Sequence, residues 1–282
     1  MQARRTVIVD APKGVAEPDH VPEPSARSDY VQSLARGLSV IEAFGAACRP
    51  LSLSEVAVRT GLTRAGARRA LLTLEQLGYV GLEGRTFRLL PRILKLGYAY
   101  LTSLNVWDAA QPLLEDLVTR LGEQCTASVL DGDEIVCVAR VQTRRLMNVN
   151  LAVGSRLPAS ACAMGRVLLG ALDEPALDRY LATVSPPSFN PRTITDPRAL
   201  RVAIQAARRD GYALVDQELE IGLRSLAVPI RDRRERVVAA MTICVHAARF
   251  TPEEMLERIL PELRATATQI QRVMEPGVRA TP

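Results

Sequence analysis

The chain has 282 residues, 48% of them apolar, which suits one large domain or two ordinary ones. A net charge of +5 is too small for a histone-like or ribosomal protein, although it allows a local basic patch. No apolar run approaches the roughly 18 residues of a membrane span, and no signal-peptide core follows the N-terminus. The five cysteines are dispersed, which predicts reduced thiols in a cytoplasmic protein rather than disulfides or a zinc site.

The sequence offers little for catalysis. It has only two histidines, His20 and His246, and no H-E-x-x-H, G-x-S-x-G, Walker or G-x-G-x-x-G motif. His20 lies in residues 1–28, whose prolines and mixed charges have no period and predict a disordered tail. We therefore expect no enzyme, no metal ion and no cofactor.

Residues 30–90 have a helical period and carry most of the net positive charge, with eight arginines, no lysine and four glutamates. A first helix is predicted from about Val31 to Phe44, ending at Gly45. The apolar face predicted for it consists of Leu34, Ala35, Leu38 and Ile41.

A second helix is predicted to open with a capping box at Ser52-Leu53-Ser54-Glu55 and to stop at Gly61. A third begins after Thr63 as N-cap and runs to Leu77. Two short strands around Gly84 follow and predict a ribbon with a tight turn. Two short helices, the second of them basic, followed by a ribbon are typical of a winged helix-turn-helix.

The apolar face of the third helix turns its arginines outward, where arginine can grip phosphate or read guanine in the major groove. Small residues near its N-terminus let the backbone approach the groove, and the ribbon arginines are placed to meet the DNA backbone or the minor groove. The residues predicted to bind DNA are Ser33, Arg36, Ser52, Thr63, Arg64, Ala65, Gly66, Arg68, Arg69, Thr73, Arg85 and Arg88. A solvated helix face in an ordinary three-helix bundle is the alternative.

The rest of the chain mixes helices and strands, which predicts one sheet domain with helices. Two helices come first, and then the period changes to two from about Gln124. The predicted helices are Ile93–Leu104, Val106–Leu121, Ala161–Leu172, Pro175–Ala182, Asp196–Arg209 and Thr251–Met274. The predicted strands are Thr126–Leu130, Glu134–Val141, Leu146–Val153, Leu226–Ile230 and Val237–Val245.

Several motifs, in order, resemble the isocitrate-lyase-regulator (IclR) family of bacterial transcription factors over residues 30 to about 275. They are Gln32–Leu38, Leu53–Ala57, Thr60–Arg64, Leu77–Val80, Met164–Leu169, Gly211–Ala213 and, most specifically, Glu220–Ile230. Within the family, the chain looks most like the branch that regulates the β-ketoadipate pathway, the Pca and Pob regulators. The segments that carry this likeness are Tyr98–Leu101, Val149–Gly154 and Asp216–Glu220.

The resemblance implies an α+β protein with an N-terminal winged helix-turn-helix, a linker helix and a C-terminal GAF-like α/β effector-binding domain. The expected division is a tail at 1–28, a DNA-binding domain at 29–90, a linker at 91–105, an effector domain at 106–275 and a tail at 276–282. The implied partners are a palindromic double-stranded operator, a small aromatic or pathway-intermediate carboxylate, and further copies of the chain, as a dimer or a dimer of dimers. Such a protein controls aromatic-acid catabolic genes.

Carried over by motif, the effector-binding positions are Ala163, Met164, Ser225, Thr242 and Cys244. Ser160 is expected to add a hydroxyl, Leu146 and Val215 to line the apolar remainder, and Asp216 is included beside Val215. An acidic residue that some members use for small keto-acids is replaced by Val215, and the cysteine of the family's G-L-R-C version is Ser225. Both departures disfavour a glyoxylate-like effector and fit a larger, less polar ligand. Further candidates for pairing a carboxylate are Arg140, Arg144 and Arg145.

Two alternatives of other classes stay open at this point. The first is a GAF-like sensor or enzyme domain acting on a small aromatic acid, although the predicted pocket holds only Ser, Thr, Cys and Met as reactive side chains. The second is a structural interaction protein, which predicts no salt-dependent DNA binding. For Thr242 and Cys244 the competing interpretation is an ordinary place in the sheet core, and for His246 a structural role is favoured over a general base.

Overall fold

The computed structural model describes residues 30–47, 49–103, 106–143 and 151–273, which divide into two units between Leu96 and Gly97. The N-terminal unit contains three helices, α1 (Gln32–Ala47), α2 (Leu53–Thr60) and α3 (Arg64–Gln76). Its three short strands are β1 (Leu51–Ser52), β2 (Val80–Glu83) and β3 (Thr86–Leu89), which form an antiparallel sheet in the order β1-β3-β2. The predicted tail 1–28 lies outside the described residues.

The helix boundaries of this unit follow from its capping residues. Ser52 and Glu55 form the predicted capping box, with the Ser52 N–H donating to Glu55 Oε2 at 2.8 Å. Gly61 ends α2 with φ 65°, a left-handed conformation that glycine adopts without steric cost. The hydroxyl of Thr63 caps α3 by accepting from the Gly66 N–H at 3.1 Å.

The predicted apolar face of α1 was wrong for Leu34 and Leu38, although Ile41 packs against the core of the unit. The residues that α1 buries are Val40, Ala43 and Phe44, whereas Leu34 and Leu38 are 63% and 46% exposed. The helix also continues past Gly45 to Ala47. α1 therefore carries two apolar stripes, and only one of them packs into the core of its own unit.

The chain passes from one unit to the other within a helix. A 3-10 turn at Pro91–Ile93 leads into α4 (Leu94–Ser103), which contains the division between the units. α5 (Val106–Leu121) then begins the C-terminal unit and ends at Gly122, whose φ of 66° fits the predicted cap.

A six-stranded antiparallel sheet forms the centre of the C-terminal unit, in the order β6-β5-β4-β9-β8-β7. Its strands are β4 (Cys125–Asp131), β5 (Glu134–Val141), β6 (Arg156–Pro158), β7 (Ala213–Asp216), β8 (Leu223–Arg231) and β9 (Val237–His246). Its further helices are α6 (Ala163–Leu169), α7 (Glu174–Thr183), α8 (Pro197–Asp210), α9 (Pro252–Glu254) and α10 (Leu260–Val273), the last two joined by a π-helical stretch at Met255–Ile259.

Three predictions for this unit need correction. Residues 151–153 are not in a strand, and the rest of the predicted strand Leu146–Val153 lies outside the described residues; a short strand begins at Arg156 instead. Strand β7 was not predicted. α6 is shorter than the predicted Ala161–Leu172, because a 3-10 turn at Ala159–Ala161 precedes it.

Each face of the sheet carries a hydrophobic core. α5 and α10 cover one face, with Met241 and Ile243 of β9 fully buried beneath them. α6, α7 and α8 cover the other face, where the neighbouring residue Ala240 is also fully buried. Successive strand residues therefore serve opposite cores, as the period of two requires. We call the second face, below α6, the α6 face.

Candidate functional sites

α3 keeps its arginines on the outside of the N-terminal unit. Ala67 and Leu71 are fully buried, whereas Arg64, Arg68 and Arg69 are exposed. Within the described part of the chain, no carboxylate forms an ion pair with these three guanidinium groups. The outer face of α3 therefore presents uncompensated positive charge to the surroundings, together with exposed Ala65 and half-buried Gly66 at its N-terminal end.

The ribbon formed by β2 and β3 carries two further exposed arginines. Gly84 supports the tight turn with φ 62°, and Arg85 follows it. Arg88 lies on β3 and pairs with Glu83, with 3.3 Å between Arg88 Nε and Glu83 Oε2. The charge of Arg88 is thus partly balanced, and Arg85 is the more available cation.

The hydroxyls predicted to bind DNA are already used within the unit. Ser52 and Thr63 accept hydrogen bonds from backbone N–H groups as helix caps. Thr73 donates to the carbonyl oxygen of Arg69 at 2.9 Å. Ser33 and Arg36 are exposed on α1. These placements leave the arginines of α3 as the strongest candidates for contact with an external anion.

In the C-terminal unit, most of the predicted effector residues meet on the α6 face. Neighbouring strands align Val215, Ser225 and Cys244 in one row across β7, β8 and β9. Thr242 belongs to the next row and is opposite Thr126 of β4. Ala163 and Met164, at the start of α6, pack into the core on this face. Leu146 lies outside the described residues.

Sequence reasoning missed three polar residues on this face, Gln124, Thr126 and Ser128, all buried in the structure. The signal was present, because Thr126 and Ser128 alternate with apolar Cys125 and Ala127 along β4. Ser128 Oγ is buried and has no hydrogen-bond partner among the described residues, whereas the buried hydroxyl of Ser160 faces that of Tyr180. A buried hydroxyl such as that of Ser128 costs free energy unless a ligand or water bonds to it.

Asp216 is placed away from the other predicted effector residues. It lies on the opposite sheet face, across from Arg224, whose Nε donates to Asp216 Oδ1 at 2.7 Å. That hydrogen bond, with help from Gln217 and Arg192, holds the pKa of the Asp216 carboxyl below its usual value. Strand alternation sends Asp216 to the face opposite Val215, and Arg224 already pairs with its carboxylate. Both observations argue against an effector-binding role for Asp216.

A buried ion pair supports the α6 face from behind. The Arg166 guanidinium donates to both carboxylate oxygens of Glu218 at 2.7 and 2.6 Å, and its Nε donates to the Ser160 carbonyl at 3.3 Å. Both side chains are almost completely buried. α6 also packs directly on the turn that carries Ser160, because a Cβ on Gly165 would overlap the Ala159 carbonyl. The position of Ser160 is therefore fixed by ion pairing and close packing.

The cysteines of this region are kept in the neutral thiol form. Burial raises the pKa of Cys162 to about 12 and that of Cys244 to about 11. A thiol is a poor nucleophile until it is deprotonated, so these groups suit packing rather than covalent chemistry. Nδ1 of His246 accepts from the Ala248 N–H at 3.2 Å and thereby supports the turn after β9, the structural role favoured above.

No site for a metal and no membrane span is found in the described ranges. No group of three or more His, Cys, Asp or Glu side chains within them is arranged to hold a metal ion. None of the described helices is both long and apolar enough to cross a bilayer.

Both units match known protein families. The model of the IclR helix-turn-helix domain matches residues 33–83, and that of the bacterial transcriptional regulator IclR C-terminal domain matches residues 98–272. A basic helix-turn-helix unit joined to a sheet unit of this kind defines a DNA-binding transcriptional regulator with an effector-binding domain. The chain belongs to the IclR family of bacterial transcriptional regulators.

Its relatives agree with this class. The Pca regulon regulatory protein of Pseudomonas putida is 42% identical over 270 residues, covering 95% of this chain and 93% of the relative. The structure of a candidate transcriptional regulator from Rhodococcus sp. RHA1 is 49% identical, with a TM-score of 0.76, 87% of this chain covered and 98% of that chain. An IclR homolog from Microbacterium hydrocarbonoxydans, solved with 4-hydroxybenzoate, is 26% identical with a TM-score of 0.75, covering 85% and 98%.

These comparisons confirm the predicted fold class and the likeness to Pca regulators. The relatives are named as regulators and not as enzymes, in agreement with the expectation of a protein without catalytic function.

Proposed function

We propose that this regulator binds a small aromatic or pathway-intermediate carboxylate on the α6 face and thereby controls genes of aromatic-acid catabolism. The observation that carries the proposal is the buried polar surface below α6, which includes the Ser128 hydroxyl, without a partner among the described residues. It is supported by a relative named for the Pca regulon and by a structural neighbour solved with 4-hydroxybenzoate. The proposed effector residues are Leu146, Ser160, Ala163, Met164, Val215, Ser225, Thr242 and Cys244.

The chemistry of the α6 face fits an aromatic acid better than a small keto-acid. Val215 and Met164 give it apolar walls, and both are almost completely buried. Ser128 and Ser160 supply hydroxyls that are able to bond a phenol or a carboxylate. An apolar enclosure with a few polar groups is the usual composition of a site for a small organic ligand.

The proposed partner of the N-terminal unit is a palindromic operator, contacted chiefly by Arg64, Arg68, Arg69 and Arg85. A two-fold symmetric site requires two copies of the chain, with half-sites roughly 34 Å apart along the duplex. We therefore propose a homodimer or a dimer of dimers, working in the cytoplasm, where a bacterial regulator meets its DNA. The proposed domains keep the bounds 29–90, 91–105 and 106–275.

The proposed mechanism is coupling between two binding sites. An effector that favours one arrangement of the chain changes operator affinity, and α4 is the segment through which the two units are connected. A coupling free energy of about 1–3 kcal/mol changes occupancy several-fold, and the operator must change effector affinity by the same factor. Calorimetry of effector binding with and without operator DNA measures that factor.

A thermal-shift screen tests the effector class directly. Hydroxybenzoates, protocatechuate and β-ketoadipate are added to the full-length protein, and unfolding is followed by the fluorescence of Trp107, the single tryptophan, which is buried beside the sheet. A bound acid raises the unfolding temperature by mass action. Neutral aromatic amides serve as controls. If no carboxylate raises the unfolding temperature at millimolar concentration, the proposed effector class is wrong.

A further inference from the structure

An extra residue in β5 changes the face on which Arg140 lies. Ala139 pairs with Ala127 of β4, but the next residue of β4, Ser128, pairs with Cys137, so that Val138 has no partner position. This is a β-bulge. In a regular strand, Cys137 and Arg140 would lie on opposite faces, because they are three positions apart. The bulge places both on the same face.

That face is the α6 face. Arg140 is opposite Thr126, which is in turn opposite Thr242 on β9. Val138 and Ala139 instead pack into the hydrophobic core on the other side of the sheet. Without the extra residue, Arg140 would point into that apolar core. Bulges are over-represented beside functional sites, where they redirect a side chain.

Arg140 is held in place by Gln124, whose Oε1 accepts from Arg140 Nη2 at 2.9 Å. Gln124 directly precedes β4, so the guanidinium extends from β5 towards β4 on the α6 face. Burial raises the pKa of Cys137 and of Cys244 on the same face, and the Arg140 charge opposes that rise in both.

The surroundings of this cation suit an anionic ligand. Ser128 of β4 is opposite Cys137 of β5 and is only 1% exposed. Its Oγ has no hydrogen-bond partner among the described residues. Charge-assisted hydrogen bonds from a guanidinium to a carboxylate are about twice as strong as neutral ones.

We propose that Arg140, turned onto the α6 face by the bulge at Val138, binds the carboxylate of the effector and makes the regulator selective for acids over neutral aromatic compounds. This inference rests on the proposed function. It assigns the role to one arginine of the three that the sequence offered.

The test compares 4-hydroxybenzoate with 4-hydroxybenzamide, its neutral amide, by calorimetry on the full-length protein. We expect wild type to bind the acid at least about tenfold more tightly than the amide. Arg140→Met is expected to weaken acid binding about tenfold or more and to change amide binding by less than about twofold. Arg140→Lys is expected to retain part of the preference, because the charge remains. The matched control is Arg233→Met, an exposed arginine between β8 and β9, which should behave as wild type.

The following results overturn the inference. If the Arg140→Met variant keeps the wild-type preference for the acid, another group recognises the carboxylate. Equal losses for acid and amide in both Arg140 variants show that Arg140 only supports the fold, and thermal unfolding without ligand checks this independently. Wild type that binds neither compound, and responds to no acid in the thermal-shift screen, overturns the proposed function and this inference with it. A preserved wild-type response with unchanged variants overturns the inference alone.

Discussion

The arginines of α3 and the buried arginines of the C-terminal unit have opposite roles. In the N-terminal unit, Arg68 and Arg69 extend from α3 into solvent, and no carboxylate of the described residues pairs with them. In the C-terminal unit, Arg166 and Arg224 are 4% and 7% exposed, and each bonds to an acidic side chain. A cation without a counter-ion is available to an external anion such as a phosphate. A buried and paired cation is instead part of the framework.

The framework role is clearest for Arg166 and Glu218. Glu218 Oε2 also accepts from the Ile194 N–H at 3.0 Å, and the Glu218 carbonyl accepts from Thr193 Oγ1 at 2.6 Å. The pair thus joins α6 and the turn carrying Ser160 to two loop segments. Burying two charges is costly, and removing one partner leaves the other uncompensated.

The comparison predicts its largest effect at this pair. Arg166→Met is expected to destabilise the C-terminal unit by about 3–5 kcal/mol, because the Glu218 carboxylate stays buried without its cation. Urea denaturation followed by Trp107 fluorescence measures the change. The control is Arg156→Met, which removes an arginine paired with Asp131 and Glu134 at the surface and should cost no more than about 1 kcal/mol. Similar losses in both variants would contradict the difference drawn between buried and exposed arginines.

A second prediction tests whether close packing also holds this framework. Gly165→Ala is expected to destabilise the unit by about 1–3 kcal/mol, because the new methyl group has no room beside the Ala159 carbonyl. Gly97→Ala is the matched control, since a Cβ there has nothing within 4 Å and alanine favours the helix by up to about 1 kcal/mol. If the Gly165→Ala variant is as stable as wild type, α6 is able to shift over the turn at Ala159 without cost.

A third prediction concerns the exposed arginines of α3 and their contribution to DNA binding. Arg68→Ala and Arg69→Ala are each expected to weaken operator binding, by about 1–3 kcal/mol where the guanidinium contacts a base. Loss of a phosphate contact instead reduces the slope of log affinity against log salt by about 1. Fluorescence anisotropy over a salt series separates the two cases. Arg88→Ala should have a smaller effect because Glu83 already pairs with it, and Arg233→Ala should have none. An unchanged double variant of Arg68 and Arg69 would exclude this face.

The smallest predicted effect concerns the one carboxylate that caps α2. Hydrogen bonds from Arg49 and then from the Ser52 N–H lower the pKa of Glu55 from 4.5 to about 2. Since the folded-state pKa is the lower one, the stabilisation is complete above pH 4.5 and is lost as the pH falls towards 2. Glu55→Gln should therefore flatten the acid side of the stability profile. Circular dichroism of thermal unfolding between pH 5 and about 2.5 checks this, with Glu75→Gln as control. An equal slope in wild type and Glu55→Gln would remove the capping explanation.

The sequence was sufficient where local chemistry decides the structure. The hydroxyl of Thr63, the capping box at Ser52 and the glycine at 61 end and begin helices through contacts with residues only a few positions away. The positions of Thr242 and Cys244 on a common face likewise follow from strand alternation within their predicted strand. Ser225 joins them through the register of β8 with β9, since it lay outside the predicted strand Leu226–Ile230.

It was insufficient where distant parts of the chain decide. α1 has two apolar stripes, and only tertiary packing selects Val40 and Phe44 over Leu34 and Leu38 for its core. A four-residue strand such as Ala213–Asp216 is too short for its period to be recognised. The bulge at Val138 depends on register with β4, so alternation alone assigns Arg140 to the wrong face.

The middle of the six-stranded sheet has a consequence for the order in which the protein is made. β4 pairs with β9, so that Cys125 meets Ile243, a residue translated far later. The sheet of the N-terminal unit joins only nearby segments, with β1 and β3 both before residue 90. Because distant pairings form slowly and domains fold as they leave the ribosome, the arginine-bearing unit is expected to be complete while the other still awaits its central strand. A nascent chain of this protein would thus have its helix-turn-helix folded before its effector-binding domain is complete.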